Sequence, residues 1–363
     1  MEYHNGGVIA EAGSNHNGSL NDAKKLIDIA KSASASSVKF QFIFSEGLYL
    51  PKYLIDGSYY DSEVYAQRRS EEFGDEQWEE IWRYAALREI DISASVFCDR
   101  GISLLKRLGA GYVKIASTDL TNHLLIEKVC KEFSTVLLST GMASLAEIAN
   151  AVSVAKAANQ KIDLKLLHCV SMYPCAFEES KISRISALKS AFGLDVGYSD
   201  HTIDERSAIL AWTAGARFFE KHFTFDKTLA GFDHAHAQSP EELNNYVQTV
   251  ALCEEALNWS EESLSSESGE LKTKIRARRG IYASRDLEAG HRITEDDLLF
   301  VRPSSEYEGH DPRDLVGLLI TEAAPQYSAL GTGSNVSIVG SNCKEASAFW
   351  ANEMKEKKMI GGE

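Results

Sequence analysis

Two lysines, a set of serines and two histidines are spaced along this chain in a way that suits binding and chemistry. Lys39 and Lys114 stand near the ends of two short β-branched and aromatic stretches, "SSVKFQFI" (36–43) and "GYVKIAS" (111–117). Ser95, Ser117, Ser139 and Ser199 stand at or near the ends of other such stretches. Ammonium and hydroxyl groups drawn together make a pocket for phosphate or carboxylate without a glycine-rich phosphate loop. The other reading of each lysine is an ion pair with Glu11 or Asp119, or a stem laid along apolar surface. His201 and His222 end two further stretches. Adjacent strands lie about 4.8 Å apart. Two imidazoles there either share one divalent metal, which would polarise a carbonyl, or are hydrogen-bonded core histidines.

"FFEKHFTFD" (218–226) sharpens the question. Four aromatic rings in nine positions read as a buried strand, yet Glu220, Lys221 and His222 lie inside it. Burying a charge without a partner is costly. These groups therefore pair off as structure or belong to a site. The loop that follows, "LAGFDHAHAQSPEEL" (229–243), hangs Asp233, His234 and His236 over the same end. Chance accounts for the two loop histidines as well as function does.

Such groups need a frame. Eight strand candidates occur, at 7–13, 36–43, 91–97, 111–117, 134–140, 161–169, 194–200 and 216–222, with stretches of helical period between them. Eight βα units in roughly 250 residues match a closed (β/α)8 TIM barrel in the α/β class. A doubly wound sheet is the competitor, but no glycine-rich dinucleotide fingerprint is present. Barrel enzymes carry their chemistry at the C-terminal ends of the strands. Read in order, those ends carry Glu11, Lys39, Gln41, Ser95, Lys114, Ser117, Asp119, Ser139, Thr140, His168, Ser199, Asp200, His201 and His222. One strand-end Ser or His usually bonds only backbone; eight polar ends together point to a site.

The barrel is expected over 1–255 and a polar, Ser- and Glu-rich linker over 256–279. A small β-rich module follows over 280–340, then a tail over 341–363 with one amphipathic helix. Within the module "LEAGHRI" (287–293) reads as a tight turn between two strands. The formal charge of −15 and the absence of a long basic run argue against nucleic acid as a partner. The six cysteines form no C-x-x-C pair and read as reduced thiols of a cytoplasmic protein. The N-terminus has no signal-peptide pattern, and no run of about 20 apolar residues spans a membrane.

Ordered motifs then add a resemblance. "IAEAGSNHNGS" (9–19), "VKFQ" (38–41), "VKIASTDLTN" (113–122), "LSTGMAS" (138–144), "LLHCVSMYP" (166–174), "GYSDHT" (197–202) and "EKHFTFD" (220–226) together resemble the sialic acid synthase family. "ASRDLEAGHRITEDDLLFVRP" (283–303) resembles the antifreeze-like SAF (β-clip) domain of the same enzymes. The resemblance implies a nonulosonic acid synthase. Such an enzyme condenses phosphoenolpyruvate with the aldehyde of an N-acetylated hexosamine, adds water and releases phosphate, with Mn²⁺ or Mg²⁺. It implies that Lys39, Ser95, Lys114, Ser117, Ser139, Ser171 and Ser199 bind phosphoenolpyruvate and that His201 and His222 hold the metal. It implies that Glu11, Gln41, Tyr173 and Asp233 face the sugar or the reacting carbons and that Asp119 is a catalytic acidic residue. The resemblance further implies that Arg302 reaches a neighbouring subunit's active site in a domain-swapped homodimer. The chain departs from the family at Val96, where proline is usual, and at His236 and Ala237, where small or hydroxyl residues are usual. Residues 43–69 match no sugar-binding loop. The alternatives are a 9-phosphate synthase, a Schiff-base aldolase using Lys39 or Lys114, and a sugar- or ice-binding protein without catalysis.

Overall fold

The computed structural model describes residues 7–257, 269–302 and 311–331. The chain divides into two compact units, Met1–Asn258 and Trp259–Glu363.

The first unit is built on ten strands. β1 (Gly7–Gly13) and β2 (Ser37–Phe42) are followed by a hairpin of β3 (Lys52–Ile55) and β4 (Ser58–Asp61). Then come β5 (Asp91–Val96), β6 (Val113–Ile115), β7 (Thr135–Ser139), β8 (Asp163–His168), β9 (Val196–Asp200) and β10 (Phe218–His222). All but the hairpin pair in parallel and close as β1-β10-β9-β8-β7-β6-β5-β2. Each of the eight strands expected from the sequence is present. Amphipathic helices join them and bury their apolar stripes on the outside of the barrel. The helix Leu20–Ser32 is capped by Ser19 and buries Ala23, Leu26, Ile27 and Ala30. The helix Leu145–Ala158 starts with a capping box formed by Ser144 and Glu147.

Alternation along the strands sets what the barrel holds. Ile9, Tyr112, Leu137, Leu167 and Phe218 pack into one buried apolar cluster inside the ring. Two residues further along each strand the side chain again points inward, about 7 Å nearer the mouth. Those positions are Glu11, Lys114, Ser139, Cys169 and Glu220. An apolar floor therefore carries a polar layer. Gly197 serves the floor, since a Cβ there would fall under 3.0 Å from the Phe218 ring.

The same alternation removes three groups from the expected polar ring. Thr140 donates to the Leu167 carbonyl at 3.0 Å. His168 Nε2 lies 2.8 Å from the Ser180 carbonyl, and its ring stacks on Tyr198. Asp200 accepts from Thr202 and Ser207 and pairs with Lys221 at 3.2 Å. These three sit one position out of phase with the inward set. Lys221 is thereby explained as outward-facing structure.

Residues 43–69 hold the β3–β4 hairpin and most of the helix Glu63–Glu71. The turn is Asp56-Gly57, with φ of 48° and 80°. Both values suit the two-residue primed turn that an Asp-Gly pair favours.

In the second unit, β11 (Gly280–Ala283) pairs antiparallel with β12 (Leu298–Val301). The expected turn in 287–293 is present, but its flanks do not pair with each other. They pair instead with 318–324, through Leu287–Ala324 and His291–Ile320 backbone bonds. Ile281, Leu287, Ile293, Leu315, Ile320 and Leu330 belong to the core so formed. Within 256–279 the described residues include the helix Gly269–Ala277. The tail helix expected over 341–363 lies outside the described residues, as does Cys343. Cys98, Cys130, Cys169, Cys175 and Cys253 are free thiols.

Candidate active site at the barrel mouth

A cavity of about 310 Å³ opens at the C-terminal ends of the strands. Its lining includes Glu11, Gln41, Ser95, Lys114, Ser117, Ser139, Ser171, Tyr173, Ser199, His201 and His222. Eleven of the fifteen residues to which the resemblance gives a role thus meet in one place. Phe97, Ala116, Thr118, Met142 and Cys169 complete the wall.

Beneath the cavity lies a buried four-charge cluster. Lys39 pairs with Glu11 and lies 3.4 Å from Glu220. Lys114 pairs with the other Glu220 oxygen. Lys39 also donates to Ser95 Oγ at 3.1 Å, Ser199 donates to Glu220 at 2.7 Å, and Gln41 donates to Glu11 at 3.0 Å. Two ammonium groups face two carboxylates, so the cluster is neutral overall. Burial opposes the Glu220 carboxylate, but Lys114 and Lys39 outweigh it and hold its pKa well below the carboxylate range. Burial raises the Glu11 pKa, and the Glu220 charge adds to the rise against the pull of Lys39. Burial works against the Lys114 ammonium, yet Glu220 and Glu11 raise its pKa on balance. Lys39 is fully buried and braces the cavity from below without lining it.

On the opposite wall, hydroxyls converge around a glycine. Gly141 N–H donates to Ser117 Oγ at 3.1 Å. A Cβ at Gly141 would come within 3.0 Å of Ser171 Oγ, Cys169 Sγ and Ser117 Oγ. Ser139 Oγ is buried and has no hydrogen-bond partner. An anion of phosphate or carboxylate type would satisfy that donor.

The histidines gather at the rim. His201 Nδ1 lies 2.6 Å from the Val170 carbonyl, which can only accept, so Nδ1 carries the proton. Ser199 gives its proton to Glu220, which leaves the His201 Nε2 lone pair free at 3.3 Å from Ser199 Oγ. The His201 and His222 rings are 5.7 Å apart, and Tyr173 lies over them with centroids at 4.2 and 6.0 Å. Burial lowers the pKa of His201 to about 3 and of His222 to about 4. Both are neutral at pH 7, the form in which imidazole binds metal. The donor set fits a divalent cation, because the buried Nδ1 of His222 and Nε2 of His236 have no hydrogen-bond partner. Asp233 stands between those two rings, and Gly13 makes room for it. Gly13 has φ of +55°, and a Cβ there would lie 2.9 Å from Asp233 Oδ2.

Three expected residues fall elsewhere. Asp119 does not line the cavity; it accepts from Thr118 and Asn122 on the turn after β6. Asp233 is beside the cavity, against His222. Arg302 is exposed on the second unit. Glu220 and His236, both noted in the sequence but given no role by the resemblance, join the site here. His234 is structural, with Nδ1 2.7 Å from Thr224 Oγ1 and Nε2 3.1 Å from Asn17. Val96, the departure from proline, faces outward onto Gly101.

Both units are similar to known families. Residues 26–262 match the model of the NeuB family, and residues 278–320 match the SAF domain. The chain is 34% identical over 318 residues to an N,N'-diacetyllegionaminic acid synthase of Legionella pneumophila, covering 85% of this chain and 89% of that protein. It is 32% identical over 302 residues to a pseudaminic acid synthase of Campylobacter jejuni, covering 82% and 87%. Among solved structures, it is similar to an N-acetylneuraminic acid synthetase from Leptospira borgpetersenii in complex with citrate. That match has a TM-score of 0.64 and 33% identity, covering 73% of this chain and 89% of the other.

Proposed function

The chain belongs to the NeuB family, and we propose that it condenses phosphoenolpyruvate with the open-chain aldehyde of an N-acetylated hexosamine to make a nonulosonic acid. The observation that carries this reading is the neutral Lys39–Glu11–Glu220–Lys114 cluster under a serine-lined cavity. It presents Lys114, whose pKa is raised by Glu220 and Glu11, and several hydroxyls to an anion.

In this reading Lys114, Ser95, Ser117, Ser139, Ser171 and Ser199 receive the phosphate and carboxylate of phosphoenolpyruvate. Lys39 holds Ser95, Glu11 and Glu220 in place from below. The methylene carbon attacks the sugar's aldehyde carbon, water adds at the enol carbon, and the carbon–oxygen bond to phosphate breaks. Glu11 lines the cavity with a raised pKa, so its carboxyl group is placed to carry a proton. Gln41 fixes that carboxyl, and Tyr173 and Asp233 border the space for the sugar. Asp119 acts from outside the cavity, by holding the turn that carries Ser117 and Thr118. His201 and His222 are the residues to hold a divalent cation, Mn²⁺ or Mg²⁺, which when bound polarises a carbonyl oxygen. A Schiff-base aldolase is disfavoured, since Lys114 is locked in an ion pair and kept protonated.

The acceptor is N-acetylmannosamine-like or a diacetamido-trideoxyhexose. Arg302 completes the site of a second copy in a domain-swapped homodimer, which light scattering and mixed-variant complementation test. No helix among the described residues is long and apolar enough to cross a membrane, and a cytoplasmic setting suits the free thiols. The deciding experiment is phosphate release from phosphoenolpyruvate with Mn²⁺. The panel is N-acetylmannosamine, its 6-phosphate and the diacetamido-trideoxyhexoses, with chelator controls. Chelator-sensitive release with one sugar supports the reading; no release with any of them counts against it.

A further inference from the structure

We propose that His236 is an additional protein ligand to the metal, acting with His222 and Asp233, and that it turns the site toward transition-series ions. This rests on the metal-dependent reading above but concerns a residue that the reading does not use.

The geometry is specific. His222 Nδ1 lies 3.7 Å from Asp233 Oδ2, and His236 Nε2 lies 3.8 Å from Asp233 Oδ1. Ligand atoms from all three residues lie within 4.8 Å of one another. These spacings are too long for hydrogen bonds. Two atoms bound at about 2.1–2.2 Å to one cation stand roughly 3.0–3.8 Å apart. His222 is only 8% exposed, and both its Nδ1 and the His236 Nε2 are buried without a hydrogen-bond partner. Two buried lone-pair donors and one carboxylate, with nothing between them, describe a ligand set. His234, two residues away, is the contrast, because both its ring nitrogens are engaged.

The chemistry of the set decides the ion. Two imidazoles and one carboxylate on one face suit Mn²⁺, Fe²⁺, Co²⁺ or Zn²⁺ and leave positions open for substrate. Mg²⁺ prefers oxygen and keeps its waters. The site should therefore discriminate strongly against Mg²⁺. His201, whose Nε2 lone pair is free and whose ring lies 5.7 Å from that of His222, stands outside this three-residue group and keeps its ligand role from the cavity side.

The test is equilibrium binding on the full-length protein, with Mn²⁺ followed by electron paramagnetic resonance and Co²⁺ by its visible absorption. Wild type is compared with His236→Ala and His236→Glu. The expected result is about 10- to 100-fold weaker Mn²⁺ and Co²⁺ binding in His236→Ala. A changed Co²⁺ band and recovery of affinity in His236→Glu, which restores a ligand, should accompany it. Unchanged affinity and an unchanged Co²⁺ spectrum in His236→Ala overturn the assignment, as does wild-type Mg²⁺ binding as tight as Mn²⁺. Phosphate release measured in parallel on wild type separates the two readings: turnover with unaltered metal binding in His236→Ala removes this inference and leaves the synthase intact.

Discussion

Glu220, on the last barrel strand, joins two lysines from different strands, meeting Lys39 at 3.4 Å through one oxygen and Lys114 through the other. It is the keystone of the charged layer. Removing one partner of a buried ion pair costs about 3–5 kcal/mol, because the other charge is left uncompensated. Glu220→Gln should destabilise the free protein by roughly that amount. Phosphoenolpyruvate, which brings negative charge to Lys114, should recover part of the loss. Thermal unfolding with and without the ligand checks both halves. A variant as stable as wild type would show that the cluster does not act as a unit.

Phosphoenolpyruvate binding should take up a proton. The cluster is neutral, the incoming ligand is an anion, and burial already raises the Glu11 pKa. Added negative charge raises it further, so the bound state favours the protonated carboxyl. Affinity should fall as pH rises through the Glu11 titration, by up to about tenfold per unit. Calorimetry in buffers of different ionisation enthalpy measures the uptake directly. Glu11→Gln should abolish it.

Gly141 should be intolerant of even one methyl group. Three side-chain atoms of the hydroxyl wall lie where its Cβ would go. Gly141→Ala should raise the dissociation constant for phosphoenolpyruvate by at least about tenfold, since lost hydrogen bonds to charged groups cost about 1.5–3 kcal/mol. Far-ultraviolet circular dichroism should be unchanged. Normal binding by the variant would place the anion elsewhere.

His16 gives a pH signature of stability independent of the site chemistry. Burial, with help from Arg68, lowers its pKa to about 3, while its ring stacks on Phe73 at 4.3 Å. A pKa depressed in the folded state means the unfolded chain binds the proton first. Stability is therefore full above about pH 6.5 and falls as pH drops toward 3. From pH 7 to 5 this one group should remove about 2 kcal/mol. His16 Nδ1 accepts from the Gly18 N–H at 3.1 Å, so His16→Asn keeps an acceptor there and should flatten the profile relative to wild type. Urea titrations at several pH values compare the two.

All eight barrel strands could be read from the chain, because buried parallel strands are short β-branched and aromatic runs. Which strand-end groups face inward was also written there, in the period of two, but a list of ends blurs it. Thr140, His168 and Asp200 fall out of phase with Ser139, Cys169 and Ser199. Glu220 hid inside an aromatic strand, where a charge reads as an oddity until its partners on β2 and β6 are known. The hairpin at Asp56-Gly57 carries a plain turn signal, an Asp-Gly pair between two short strands. His236 could be named beside His234 but not told apart from it, for another reason. It lies on a loop, where no periodicity tells a side chain which way to point.

The floor of Ile9, Tyr112, Leu137, Leu167 and Phe218 makes the barrel a blind well with a single mouth. Whatever occupies the serine-lined depth must arrive before the molecule that sits at the rim, and the rim must empty first. Turnover should therefore be sequential and ordered, with phosphoenolpyruvate leading. An unreactive sugar analogue should inhibit uncompetitively against phosphoenolpyruvate, whereas an unreactive phosphoenolpyruvate analogue should compete with it. The same stopper confines any unreacted enol to one exit, past the aldehyde it is meant to meet.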